Sequence, residues 1–142
     1  MGFAPGRPLK LNVRPHMLDR IQRFRSMTGV AVSEGADAWV IQIPKSDRIV
    51  FTITVPRTVL EWFAAATDGT MEMWSDWADY YATEGETNEK LKTEMASDVE
   101  RFILTLLASP VRRTEETTGS KAAPSLEWER NGKWQRLQLS AV

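Results

Sequence analysis

The sequence predicts an α+β domain: an antiparallel β-meander with one long amphipathic helix packed on it, a short N-terminal helix and a C-terminal β-hairpin. Three observations carry that prediction. Leu91, Met95, Val99, Ile103 and Leu107 step by four along one segment, the spacing of a helix face. From Trp39 to Val55, β-branched and aromatic residues alternate with smaller or polar ones, the period of a half-buried strand pair. Asn131-Gly132 lies between two further strand-like runs and is a strong hairpin signal, because both residues tolerate positive φ.

In chain order, residues 1–12 contain Pro and Gly and are expected to be loosely ordered. Pro15 suits the first turn of a helix, where a missing N–H costs nothing. Met17, Ile21 and Phe24 form its apolar stripe, and Gly29 is a stop signal. Arg20, Arg23 and Arg25 fall off the stripe as a solvated basic face, with a basic docking surface as the alternative. Residues 31–37 read as a loop. Trp39, Ile41, Ile43, Phe51, Ile53 and Val55 then face a core across a polar link at Lys45-Ser46-Asp47, while Thr52 and Thr54 face out.

Residues 58–67 are ambiguous. The Ala64-Ala65-Ala66 run suits a helix, but Asp68-Gly69 is a two-residue hairpin signal, so a strand is preferred. That turn would pair Phe63 with Trp74 and Ala65 with Glu72, and would set Glu61 against Asp76. Like charges directly opposed across a ladder are unfavourable. Either the register slips or a cation answers the pair.

Thr83 to Glu86 read as a loop. Thr87 is an N-cap candidate, and the long helix runs over about residues 88–108 until Ser109-Pro110 stops it. Residues 112–125 read as a mobile polar loop. In the closing hairpin, Leu126 faces Leu137 and Trp128 faces Gln135 on one side. Glu127 opposes Arg136 and Glu129 opposes Trp134 on the other. Trp134 therefore lies on the polar face, as a contact residue or as a ring covered by the preceding segment.

The totals limit the chemistry. The chain of 142 residues is expected to form a single domain, 1–142, and its 42% apolar content supplies a core. It has no Cys, which excludes disulfides, thiol nucleophiles and thiolate metal sites. The single histidine, His16, excludes histidine-rich zinc sites. There is no nucleophile elbow and no phosphate loop. No stretch approaches the length of a membrane span, and the start lacks a signal-peptide run. A cytoplasmic protein needing no cofactor is expected. Net charge is −1, which does not favour nucleic acid or an anionic membrane.

Charge is unevenly spread. Residues 1–25 hold six Lys or Arg against Asp19 alone, whereas residues 58–89 hold eight acids and no Lys or Arg. The acidic window also holds Trp62, Trp74, Trp77, Tyr80 and Tyr81. Carboxylates beside large aromatics suit a docking face: aromatic anchors supply affinity and rim acids speed encounter. The expected contact set is Trp74, Asp76, Trp77, Asp79, Tyr80, Tyr81, Glu84, Glu86 and Trp134, and about half of the four window anchors Trp74, Trp77, Tyr80 and Tyr81 are expected to be buried. The function expected is non-catalytic: an inhibitor of the bacterial immunity or antitoxin kind that neutralises a partner with a basic surface. One rival class is a small hydrolase, or a metal- or sugar-binding enzyme, using Glu61 and Asp76. A carboxylate metal site through Asp76, Asp79, Glu84 and Glu86 is a further variant. The last rival is an adaptor or structural subunit docking through the long helix.

Overall fold

The computed structural model describes residues 12–45, 48–82, 85 and 87–139. Most of the predicted loose start, both residues of Ser46-Asp47, and Glu84 and Glu86 fall outside the described residues.

Helix α1 (Arg14–Arg25) carries Pro15 in its first turn and buries Met17, Ile21 and Phe24. A meander of five antiparallel strands follows, in the spatial order of the chain: β1 (Ala31–Glu34), β2 (Ala38–Pro44), β3 (Val50–Pro56), β4 (Glu61–Thr67) and β5 (Glu72–Asp79). Helix α2 (Asn88–Ala108) comes next, with Thr87 accepting the Lys90 N–H as its cap. A second, three-stranded antiparallel sheet closes the fold: β6 (Val111–Thr118), β7 (Lys121–Arg130) and β8 (Lys133–Arg136). Neither helix is long and apolar enough to cross a membrane.

The β2–β3 alternation is realised as expected, and all six predicted core residues of that pair are buried. They share one core with Met95, Val99, Phe102, Ile103 and Leu106 of the α2 stripe, and Leu91 is buried as well. Phe102 is the hub of the core. Its ring centroid lies 5.6 Å from Trp62, 6.3 Å from Trp74 and 5.7 Å from Trp128. One side chain thereby joins α2 to both sheets, and each such aromatic pair is worth about 0.5–1.5 kcal/mol beyond its buried area. Lys45 adds a polar tie, donating from Nζ to the Leu106 carbonyl at 2.7 Å. A cation there suits the negative end of the helix dipole.

Two segments expected to be loops are strands. Part of the 31–37 segment is β1, whose Ser33 pairs with Val40 and Val32 with Ile41. Its polar composition hid it, since only Val32 turns toward the core. The 112–125 segment is β6 and the first half of β7, turning at Gly119 with φ 64°. This ribbon is exposed on both faces over much of its length. Without a buried side there is no apolar alternation to read. Cross-strand pairs hold it instead, among them Arg112 with Glu127, at 2.9 Å from Nε and 2.7 Å from Nη2.

The β4–β5 hairpin forms, but not in the expected register. Phe63 pairs with Trp77, Ala65 with Ser75 and Glu61 with Asp79. Asp68 does not sit in a two-residue turn. Its Oδ1 accepts from the Thr70 N–H at 2.9 Å, the Thr70 hydroxyl at 2.6 Å and the Met71 N–H at 3.0 Å. Its backbone N–H donates to the Met71 carbonyl at 3.3 Å. The connection is thus the stretch 68–71. Ala66 then pairs with Trp74 but Thr67 with Glu72, leaving Met73 as the extra residue of a bulge. The two added loop residues preserve which side chains share a face. The one bulged residue reverses it.

Candidate docking surface

That reversal sorts the acidic aromatic segment. Trp74, Asp76 and Ala78 share a face with Ala66, Ala64 and Trp62, which point into the core. Ser75, Trp77 and Asp79 share the opposite face with Ala65, Phe63 and Glu61. The expected contact residues therefore divide between two environments.

The inward members have internal partners. Trp74 is half-buried and donates from Nε1 to the Leu137 carbonyl at 2.9 Å. Asp76 accepts the Leu139 N–H on Oδ2 and the Trp77 N–H on Oδ1, each at 2.9 Å. Tyr80 donates its hydroxyl to Asp98 Oδ2 at 2.8 Å and accepts from Trp62 Nε1 at 3.0 Å. Burial first, and the bond to Asp98 next, push its phenol well above the ordinary tyrosine range. These side chains fasten β5 to α2 and to the segment after β8.

The outward members are open. Trp77 is 56% exposed, Phe63 39% and Tyr81 77%. Phe63 and Trp77 stand directly opposite each other, and the next pair along this face is Glu61 and Asp79. The register has slipped, one of the two expected alternatives, so Glu61 faces Asp79 rather than Asp76, and no ion pair answers either among the described residues. The Asp79 carboxylate beside Tyr81 raises its phenol above the usual value. Along the same face the row continues from Phe63 to Thr54, Val40 and Ser33. It crosses the whole sheet without a charged residue.

A cleft of about 310 Å³ opens where the two sets meet, lined by Trp77, Asp76, Asp79, Tyr80, Asp98 and Leu139 among others. Glu84 and Glu86 are outside the described residues. Trp134 is in the second sheet, with the Arg112 guanidinium 4.2 Å from its ring centroid. Its cover thus comes from the segment that precedes the hairpin.

The two carboxylates of the rival pair fall on different faces of the strand pair. Glu61 lies on the outer sheet face and Asp76 on the inner one. Asp76 and Asp79 likewise alternate between the faces of β5, although both border the cleft with Asp98. Among the described residues there is no cluster of three or more His, Asp or Glu placed to hold a metal. Sequence reasoning missed Phe63 as a surface residue. Its signal was the alternation Glu61-Trp62-Phe63-Ala64, which the neighbouring alanines made ambiguous. The chain matches no protein-family model, no curated protein and no solved structure.

Proposed function

We propose that this protein is a non-catalytic binding protein that docks a basic protein surface on the outer face of β4–β5. Phe63, Trp77 and Tyr81 are its anchors, and Glu61 and Asp79 form its acidic rim. The observation that carries the proposal is the exposed Phe63–Trp77 pair beside the unanswered Glu61–Asp79 pair. Leaving large aromatics in water forgoes burial worth about 1.5–3 kcal/mol for a Phe-sized side chain. Leaving two carboxylates opposed adds repulsion. A partner that covers the rings and brings Lys or Arg to the carboxylates removes both costs. Rim charges of this kind raise the association rate, and the central rings slow dissociation.

Within that class the reading favoured is a small inhibitor of the immunity or antitoxin kind, whose acidic face occupies the basic working surface of a toxin or effector. The support is the concentration of acid and aromatics on one strand pair. Test the proposal by presenting immobilised wild-type protein, Trp77→Ala and Asp79→Lys to lysate of the native host. The expected result is a basic protein held by the wild type, released by moderate salt and lost from both variants. Capture of the same proteins by all three would overturn the docking face.

A further inference from the structure

We infer that the corner built by α1, β1 and the residue after β3 is a second, separate binding site, which takes a carboxylate of an acidic protein segment. Three guanidiniums converge there on Glu34. Arg14 Nη1 lies 3.0 Å and Arg57 Nη2 2.8 Å from Oε1, and Arg25 Nη2 lies 3.4 Å from Oε2. The three come from different places: the start of α1, its last residue, and the chain just after β3. One carboxylate would be answered by one arginine. Within the cluster three cations meet one anion, and Asp37, whose backbone carbonyl accepts the Arg57 N–H at 3.0 Å, is the further acid beside it.

The arginines are also held in place. Arg57 donates from Nη1 to the Ala36 carbonyl at 3.0 Å and lies 5.0 Å from the Trp39 ring centroid. Ordering of Arg57 is therefore already accomplished in the free protein, which lowers the cost of binding. Each contact to Glu34 uses a single donor atom, whereas a guanidinium offers five N–H groups in a planar fork. Arg14 and Arg25 are 47% exposed, so an incoming planar carboxylate can take the fork that Glu34 leaves unused. Glu34 stays ionised, held below the usual carboxylate range first by the Arg14 hydrogen bond and then by the charges around it. It competes for the same donors. A short acidic segment fits one such corner. Nucleic acid would need a longer basic track, and the chain as a whole carries −1.

The test uses labelled hexaglutamate as the probe, read by fluorescence anisotropy at low salt, with a single-stranded oligonucleotide of equal charge as the comparison. The Arg14→Gln, Arg25→Gln double variant is expected to weaken hexaglutamate binding about tenfold, the loss of two charge-assisted contacts. Glu34→Gln is expected to tighten it several-fold, because the internal competitor is gone. Trp77→Ala should leave it unchanged, which separates this site from the aromatic face. If Glu34→Gln does not fold, Arg25→Gln alone, at the longest of the three contacts, carries the test by weakening binding. The proposal falls if hexaglutamate does not bind. It falls equally if a folded Glu34→Gln protein binds no more tightly than wild type, which would make the cluster a structural clamp. Tighter binding of the oligonucleotide than of the peptide would assign the corner to phosphates.

Discussion

The two hairpins β4–β5 and β7–β8 begin from nearly the same sequence signal and end differently. Asn131-Gly132 turns in two residues, with φ of 54° and 76°, and every expected β7–β8 pair is in place, from Glu127 with Arg136 to Glu129 with Trp134. Asp68-Gly69 does not. Gly69 has φ 94°, but Asp68 has no positive φ and instead spends its carboxylate on Thr70 and Met71. Asn readily takes the left-handed conformation a type I′ turn needs. Asp gains more here by accepting several hydrogen bonds in a longer loop. The consequences reach beyond the turns. In β7–β8 the rings have partners within the fold: Trp128 packs on Phe102 and Trp134 lies under Arg112. In β4–β5 the bulge at Met73 turns Trp74 inward, half-buried against the core, and sends Trp77 outward. Small local geometry thus decides which aromatics are structural and which are left for a partner.

The largest expected effect comes from removing a ring that joins the two hairpins through Phe102. Trp128→Ala and Trp62→Ala should each cost about 3–5 kcal/mol of stability, the range for large-to-small changes at fully buried aromatics. Denaturant unfolding measures this, and a loss under about 1 kcal/mol would mean the core closes over the gap. Gly132→Val should come next, at roughly 1–3 kcal/mol, since a β-branched residue is strained at this positive φ. Gly69→Val meets the same strain, with open space around both sites. Similar losses for the two would put both turns on an equal conformational footing, whatever their side-chain bonds.

A smaller effect is pH-dependent. The Thr70 and Met71 bonds hold the Asp68 carboxyl below its ordinary value, at about 2. A depressed folded-state pKa contributes stability that is present above the ordinary value and lost as pH falls toward 2. The difference in melting temperature between wild type and Asp68→Ala should therefore be steady above pH 5 and shrink between about pH 4 and 2. A difference that stays constant over that window would show that the carboxylate charge does not hold the loop. The smallest stability change is expected at Trp77→Ala, within about 0.5 kcal/mol because the ring is exposed. If that substitution destabilises as much as Trp128→Ala, the exposed ring is structural and the docking face loses its central anchor.

The long helix, its Thr87 cap, the β2–β3 core pattern and the Asn131-Gly132 register were all legible in the sequence. Each is set by short-range rules: a periodicity of apolar residues, a capping oxygen, a pair of residues that accept positive φ. Local composition could not reveal β1 or the β6–β7 ribbon, because strands with little buried surface exist only through hydrogen bonds to their neighbours. The candidate surface was half legible. The sequence marked the acidic aromatic segment and implied that about half of its rings would be buried. The tertiary structure buries none of the four fully: Trp74 and Tyr80 are half-buried, and Trp77 and Tyr81 are exposed. Facing along β5 depends on the parity of residues between paired positions, and one bulged residue, fixed by the packing of Met73 and Trp74 into the core, inverts it. The gathering of Arg14, Arg25 and Arg57 on Glu34 was likewise decided by the fold. Those residues are spread over the first part of the chain, and what brings them together is the packing of α1 beside the edge of the sheet.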